Sequence, residues 1–155
     1  MTSFHAADQQ LEICFSGRVV RQLQKYRQTH GRAEAGGLLF ADKPNSDRVV
    51  ITFASLPSRW DTCLMSSFRI DVNTARKNIL KQFQLGKHYV GEWHTHAQAR
   101  PQPSAIDKKT ITDLYRQSEH ELNYLVLMVL GSSSDFSNSY VALADGANLY
   151  QCSPI

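Results

Sequence analysis

The spacing of apolar positions along the chain predicts strands and helices in alternation. Strand-like runs, either alternating or continuously apolar, occupy residues 11–15, 36–41, 49–53, 68–70, 89–94, 124–130, 140–144 and 148–152. The run at 124–130 is almost entirely apolar, as in a central strand that is covered on both faces. Turn-forming residues between 36–41 and 49–53, and the pair Asp145-Gly146 before 148–152, predict two antiparallel hairpins.

Three segments have the spacing of amphipathic helices, namely residues 16–31, 74–83 and 104–119. Ser16 is placed to cap the first helix, and Gly31 is expected to end it. The residues expected to face inward are Val19, Val20, Leu23 and Tyr26 in the first helix and Ala75, Ile79, Leu80 and Phe83 in the second. Helical spacing in the third segment connects Ile106, Ile111, Leu114 and Tyr115. Helices thus fall between strands, which predicts an α/β layered fold around one mixed sheet.

Length and charge limit the classes of protein to consider. The 155 residues suffice for one domain, 1–155, with a full hydrophobic core. The net charge of +3 is too small to indicate nucleic-acid binding. The basic residues that cluster early are expected to form the wet face of the first helix, and they are Arg18, Arg21, Lys25, Arg27 and Arg32.

The cysteines and the hydropathy pattern indicate a compartment. Cys14, Cys63 and Cys152 are odd in number and far apart, which argues against a disulfide framework and against a cysteine zinc site. Free thiols are typical of a reducing compartment. The sequence shows neither a secretory signal pattern nor an apolar run of membrane-spanning length. We therefore expect a cytoplasmic protein that does not act on a membrane.

Two short motifs, His94-Thr95-His96 and Ser104-Ala105-Ile106-Asp107, are separated by seven residues and carry metal-binding groups. In a strand, residues two apart point to the same face, so both imidazoles can reach one ion. Two histidines and a carboxylate supply three zinc ligands and leave a fourth position for water, as in catalytic zinc sites. Simpler interpretations remain open, namely surface histidines near a loop and a helix capping box. The combination at this spacing is more specific than either motif.

A zinc hydrolase also needs a base, and two glutamates qualify. Glu34 lies at the entry to a strand, directly before Gly36-Gly37, where glycine permits close backbone approach or unusual dihedral angles. Glu92 lies two residues before His94 and can face the same side of the strand. The residues alone do not decide between them.

Taken together, Glu34 with Gly36-Gly37, His94-Thr95-His96 and Pro103-Ser104-x-x-Asp107 resemble the JAB/MPN (JAMM) metalloprotease family. The resemblance covers nearly the whole chain. It implies a single JAB/MPN-type domain of the α/β (α+β) class, in which a curved mixed β-sheet is flanked by two main helices. One departure is Ala97, where many members have proline, and it affects the shape of the loop that lines the cleft rather than the ligand set.

The resemblance also implies a role for each matching residue. His94, His96 and Asp107 would bind Zn2+, one ion per chain. Glu34 would hold the zinc-bound water and act as general acid and base, which favours it over Glu92. Ser104 would stabilise the oxyanion of the reaction.

Within the family, the segment 91–96 and the short chain resemble bacterial JAB peptidases, among them deconjugases of CBASS anti-phage operons. This implies a deubiquitinase-like isopeptidase that releases the C-terminus of a CD-NTase, a cGAS-like nucleotidyltransferase, from target proteins. The implied partners are a protein with an extended C-terminal tail, as a CD-NTase conjugate or fusion, and an E1–E2-like conjugating enzyme of the same operon.

An extended tail suits recognition by β-strand addition. The loop 56–67, with Trp60 and Met65, is a candidate flap over such a tail, although a structured surface loop explains it equally well. Two other functions stay open at this point, a non-catalytic MPN scaffold and a different zinc amidase or peptidase.

Overall fold

This computed structural model describes residues 1–29 and 31–155 of the chain. Within them the chain forms ten β-strands and three α-helices. The strands are β1 (Thr2–Ala6), β2 (Leu11–Phe15), β3 (Gly36–Ala41), β4 (Arg48–Ala54), β5 (Thr62–Cys63), β6 (Phe68–Arg69), β7 (His88–Thr95), β8 (Leu125–Leu130), β9 (Tyr140–Ala144) and β10 (Leu149–Pro154). The helices are α1 (Gly17–Gln24), α2 (Val72–Gln84) and α3 (Ala105–Gln117).

Eight of the strands close into a barrel in the order β1-β10-β9-β8-β7-β3-β4-β2, and β5 pairs with β6 as a separate hairpin. The pairs β2–β4 and β7–β8 are parallel, and the other neighbouring pairs described are antiparallel. The predicted curved mixed sheet is confirmed, as are the hairpins β3–β4 and β9–β10. The sheet closes through β1, which the pattern of the sequence did not predict and which joins β2 to β10.

β8 is the central strand that its apolar run predicts, since every residue in it is buried. One face lies in the barrel core, to which α1 contributes Val19 and Leu23. The other face packs against Ile111 of α3 outside the barrel. Because β7 and β8 are parallel, both strands end at the same edge of the sheet, near the start of α3.

Helix α1 is shorter than predicted. Ser16 caps it as expected, accepting a hydrogen bond from the amide of Val19, but the helix ends at Gln24 rather than at Gly31. Beyond it, the Tyr26 ring packs against Trp93 at a centroid distance of 5.9 Å. Tertiary contacts of the following residues therefore override the helical pattern.

The predicted inner face of α2 is wrong in part. Leu80 and Phe83 are each 61% exposed, whereas Gln82 is only 5% exposed and lies on the inner side. The helix packs chiefly against one strand, β7, so only a narrow strip of its surface is covered. Much of its apolar stripe consequently remains in contact with solvent.

Two further predictions concern the thiols and the membrane. All three cysteines are free, and Cys14 and Cys152 are buried while Cys63 is partly exposed. Within residues 1–29 and 31–155, no helix combines the length and the apolar character required to cross a membrane.

Candidate metal centre

The two predicted histidine ligands lie at the end of β7. His94 belongs to the strand, and His96 follows it but still donates its backbone N–H to the carbonyl oxygen of Leu130 on β8, at 3.0 Å. Because the strand pairing continues, both imidazoles point to the same side of the sheet, with a ring-centroid distance of 4.9 Å. Thr95 between them is fully buried on the opposite side.

The third predicted ligand, Asp107, is presented by the first turn of α3. Ser104 is the N-cap of this helix, and the capping box is complete: Asp107 N–H donates to Ser104 Oγ at 3.0 Å, and Ser104 N–H donates to Asp107 Oδ2 at 2.8 Å. The same Oδ2 lies 3.1 Å from His94 Nε2 and 3.3 Å from His96 Nε2. One carboxylate thus caps the helix and faces both imidazoles, so the two interpretations of this motif are compatible.

The chemistry of these donors fits a zinc ion. Ligand atoms of His94, His96 and Asp107 all lie within 4.8 Å of one another. Nε2 of His94 is buried and has no hydrogen-bond partner among the described residues, despite its short distance to the carboxylate. Two imidazole nitrogens and a carboxylate oxygen are a donor set that zinc accepts. An ion at this point would satisfy the orphaned nitrogen.

The orientation of His96 is fixed from behind by a residue that the sequence did not single out. Its Nδ1 lies 2.9 Å from the backbone carbonyl oxygen of Gln102. A carbonyl can only accept, so Nδ1 carries the proton and Nε2 presents a lone pair to the site. Such support is common behind histidine ligands. Since every residue has a carbonyl, side-chain identity could not reveal this contact.

Glu34 reaches the same site from β3. Gly36 pairs with His94 across β3 and β7, and the segment before it is held by two bonds, Ala35 N–H to Thr95 Oγ1 and Thr95 N–H to Ala35 O, each at 2.9 Å. Glu34 is therefore aligned with His96, and its Oε1 lies 3.7 Å from His96 Nε2. Residue Glu34 as a whole is only 7% exposed.

The two glycines after Glu34 serve close packing rather than unusual dihedral angles. A Cβ at Gly36 would lie 2.6 Å from the ring of Phe68 and 2.7 Å from the carbonyl oxygen of Trp93. A Cβ at Gly37 would overlap the carbonyl oxygen of Ser55. Glycine is required at both positions because neighbouring backbone and side-chain atoms occupy the space.

The surroundings shift the pKa values of the ionisable groups of the site in different directions. Burial opposes ionisation of Asp107, but the imidazoles of His94 and His96 beside it hold its pKa far below the ordinary value. The Asp107 carboxylate, 3.3 Å from Nε2, raises the pKa of His96 because it stabilises the protonated ring, although burial opposes this. Burial raises the pKa of Glu34 against the attraction of both imidazoles. Asp107 is thus a permanent anion, as a ligand must be, while Glu34 accepts a proton more readily than an exposed glutamate.

Glu92, the rival base, lies farther back along β7. It pairs with Leu38 on β3 and with Leu127 on β8, on the same side of the sheet as His94. Burial raises its pKa to about 7, with His94 acting in the opposite direction. In the described part of the chain, Glu34 makes an ion-pair contact with His96, and Glu92 makes none with either histidine.

The predicted flap forms the β5–β6 hairpin beside the site. Glu34 N–H donates to the carbonyl oxygen of Leu64 at 2.7 Å, which joins the hairpin tip to the Glu34 segment. The side chains of Trp60 and Met65 are 64% and 58% exposed. The hairpin and the residues before it therefore expose apolar side chains to solvent, and the hairpin tip is bonded to the segment that carries Glu34.

Comparison with known sequences identifies the family. Residues 16–143 match the family described as prokaryotic homologs of the JAB domain. The chain belongs to this family. The JAB resemblance inferred from the motifs is confirmed, and the match covers both helix α3 and the strands that carry the site.

Several relatives of this JAB protein carry the name CD-NTase/cGAS isopeptidase. One from Enterobacter hormaechei is 26% identical over 83% of this chain and 71% of the relative. Another, from Vibrio cholerae, is 30% identical over 77% of this chain and 76% of the relative. A third, from Escherichia coli, is 35% identical over 63% of this chain and 65% of the relative. Together with the JAB family match, these names support a hydrolase.

Among solved structures, a protein from Desulfitobacterium hafniense has a similar fold. The TM-score is 0.65 at 15% sequence identity, and the alignment covers 90% of this chain and 88% of that protein. At this identity the likeness extends to the fold alone.

Proposed function

We propose that this JAB-family protein is a zinc-dependent isopeptidase or peptidase that cleaves ubiquitin-like conjugates. The observation that carries the proposal is the convergence of His94, His96 and Asp107 on one point, with Glu34 Oε1 only 3.7 Å from His96 Nε2. In this assignment His94, His96 and Asp107 hold the zinc. Glu34 and Ser104 carry out the proton transfer and the oxyanion stabilisation.

Zinc, when bound, lowers the pKa of coordinated water from about 15.7 to about 7 and polarises a carbonyl group. Glu34 takes a proton from the attacking water while the oxygen of that water forms a bond to the scissile carbonyl carbon. The same carboxyl group then delivers that proton to the leaving amine as the C–N bond breaks. Its burial and raised pKa suit both steps, because a group that binds a proton more readily is a better base and can still release it.

Ser104 stabilises the negative charge on the carbonyl oxygen. Its Oγ accepts a hydrogen bond from Asp107 N–H within the capping box, which leaves its own hydroxyl proton free to donate. The helix cap also restricts where Oγ can lie. Such a donor is typically worth about a hundred-fold or more in rate.

For the substrate, we propose a CD-NTase joined through its extended C-terminal tail to a target protein, or fused to a following segment. The names of the relatives support this choice. An E1–E2-like enzyme of the same operon would form the conjugate, and the free thiols support a reducing, cytoplasmic setting. The tail would add as a strand along the β5–β6 hairpin, whose exposed apolar side chains lie beside Glu34.

The decisive experiment incubates zinc-loaded protein with a fusion of the nucleotidyltransferase to a reporter. We expect the wild type to cut at the junction, as mapped by mass spectrometry, and Glu34→Ala to leave the fusion intact. Glu92→Ala is the matched control, since it removes a buried carboxyl group from the same face of the sheet and should preserve cutting.

Other outcomes separate the remaining functions. A protein that holds zinc and cleaves small amides, but no protein fusion, is a different zinc amidase. A protein that holds no zinc in metal-replete buffer and cleaves nothing is a scaffold. Either result would refute the proposed isopeptidase.

A further inference from the structure

The tip of the β5–β6 hairpin turns its backbone inward and its side chains outward. Leu64 and Met65 expose 56% and 58% of their surface. Their carbonyl oxygens, in contrast, both accept hydrogen bonds from the body of the protein. Leu64 O accepts from Glu34 N–H and Met65 O accepts from Gln28 Nε2, each at 2.7 Å. The two bonds attach adjacent residues of the tip to adjacent parts of the chain.

Gln28, which bonds the hairpin tip, is an unusual residue for such a contact because a polar side chain is rarely so deeply buried, and Gln28 is only 3% exposed. Its Nε2 bonds the hairpin, while its Oε1 has no partner within the described residues. A buried acceptor without a partner destabilises the folded state. An apolar side chain of similar size would avoid that penalty, so fold stability does not explain the amide. The bond that the amide does make leads only to the hairpin.

The same unit includes the proposed general base. The amide of Glu34 holds Leu64, and the next residue, Ala35, is bonded in both directions to Thr95 between the two histidines. From β7 to the hairpin tip, the hydrogen bonds therefore run through the Glu34 segment without interruption. The hairpin is further seated by Phe68, whose ring packs against Gly36.

We infer that Gln28 is a positioning residue that holds the hairpin tip against the Glu34 segment, so that the edge that receives the substrate tail is formed before the tail binds. The inference rests on the proposed function for the nature of the substrate. A preformed edge strengthens binding because less conformational freedom is lost on association. Gln28 itself touches neither the metal-binding residues nor the scissile bond in this assignment.

The test compares Gln28→Met with Gln24→Met. Both replace an amide by an apolar side chain of similar length and both remove a bond to a main-chain carbonyl, since Gln24 Nε2 donates to Ser134 O at 3.2 Å. Hydrogen exchange at the Glu34 amide reports the contact directly and requires no activity. We expect Gln28→Met to speed that exchange roughly fivefold, because one hydrogen bond contributes about 1 kcal/mol to holding the hairpin tip in place. Gln24→Met should leave the exchange unchanged.

Kinetics on the nucleotidyltransferase fusion provide the second measurement. Gln28→Met should raise KM about fivefold with kcat within about twofold of wild type, since the hairpin binds substrate and transition state alike. Unchanged exchange in Gln28→Met, or equal acceleration in Gln24→Met, would overturn the inference. So would faster exchange with unaltered KM. If the wild type does not cut the fusion at all, the proposed function fails, and the exchange measurement still decides whether Gln28 holds the tip.

Discussion

Glu34 and Glu92 are both largely buried carboxyl groups on the same side of the barrel wall, and burial raises the pKa of both. Their surroundings differ. Glu34 lies 3.7 Å from His96 and is coupled to both imidazoles and to Asp107. Glu92 sits one step back along β7, between Leu38 and Leu127 of the neighbouring strands.

The comparison shows that a perturbed pKa by itself does not identify a catalytic group. Of the two, it is Glu92 whose pKa burial raises to about 7, a value that would suit a general base at neutral pH. Geometry favours the other glutamate as the base of the proposed reaction, because proton transfer requires contact with the reacting atoms. The difference arises because Glu34 lies just before the start of β3, opposite His96, whereas Glu92 lies inside β7, two residues before His94.

The largest expected effect comes from removing the proposed zinc ligands, which are the groups that lie around Glu34 and not around Glu92. His94→Ala or His96→Ala should lower zinc content from about one ion per chain to nearly none and abolish activity, since two donors cannot hold zinc as three do. Asp107→Ala should weaken zinc binding and also loosen the start of α3. Metal analysis after exhaustive dialysis measures this. Full occupancy in Asp107→Ala would refute its assignment as a ligand.

The next effect tests the comparison itself. Glu34→Gln should lower kcat/KM by about 10² to 10⁴-fold while zinc remains bound, because a general acid–base group is lost. Glu92→Gln should change kcat/KM only slightly. A reversed result, with Glu92→Gln inactive, would make Glu92 the base.

Ser104→Ala should have an intermediate effect on rate and a small effect on the fold. Loss of the oxyanion donor is expected to lower kcat about a hundred-fold, and loss of the N-cap to destabilise the protein by about 1 kcal/mol. Urea unfolding and steady-state kinetics separate the two. Ser16→Ala is the control, since it removes the cap of α1 far from the chemistry. A rate loss as large in Ser16→Ala would assign both effects to stability.

The last effect concerns Glu92 and the stability of the fold, and no change in the reaction rate is expected from it. The pKa of this buried carboxyl is raised from 4.5 to about 7, so between these pH values the folded state keeps a proton that the unfolded state has released. Stability should therefore fall as pH rises through this window, by up to about 3 kcal/mol. Glu92→Gln should flatten that decline, as seen by urea unfolding of chelator-treated protein at pH 5 and pH 8. A decline of the same size in Glu92→Gln would show that another group causes it.

The fold could be predicted from the sequence where the pattern is local and where it shows which faces of an element are buried. The continuous apolar run of β8 gave a central strand correctly, and turn residues predicted the hairpins β3–β4 and β9–β10. The orientation of α2 could not be predicted, because Leu80 and Phe83 form a regular stripe that a single underlying strand leaves exposed. Gln28 and the carbonyl of Gln102 carry no signal in the sequence, since their roles depend on distant neighbours.

By itself, the sequence determined the local halves of the site. A separation of two residues in extended chain places the side chains of His94 and His96 on the same side. The start of a helix brings Ser104 and Asp107 together in a capping box. Both relations follow from backbone geometry alone. Residue spacing left open which glutamate joins them; the family resemblance favoured Glu34, and only the tertiary structure gives the physical reason. Ala35 and Thr95 are 60 residues apart along the chain, and the register that brings their neighbours together depends on the packing of β3 against β7. That register puts Glu34 at the metal-binding residues and leaves Glu92 behind them.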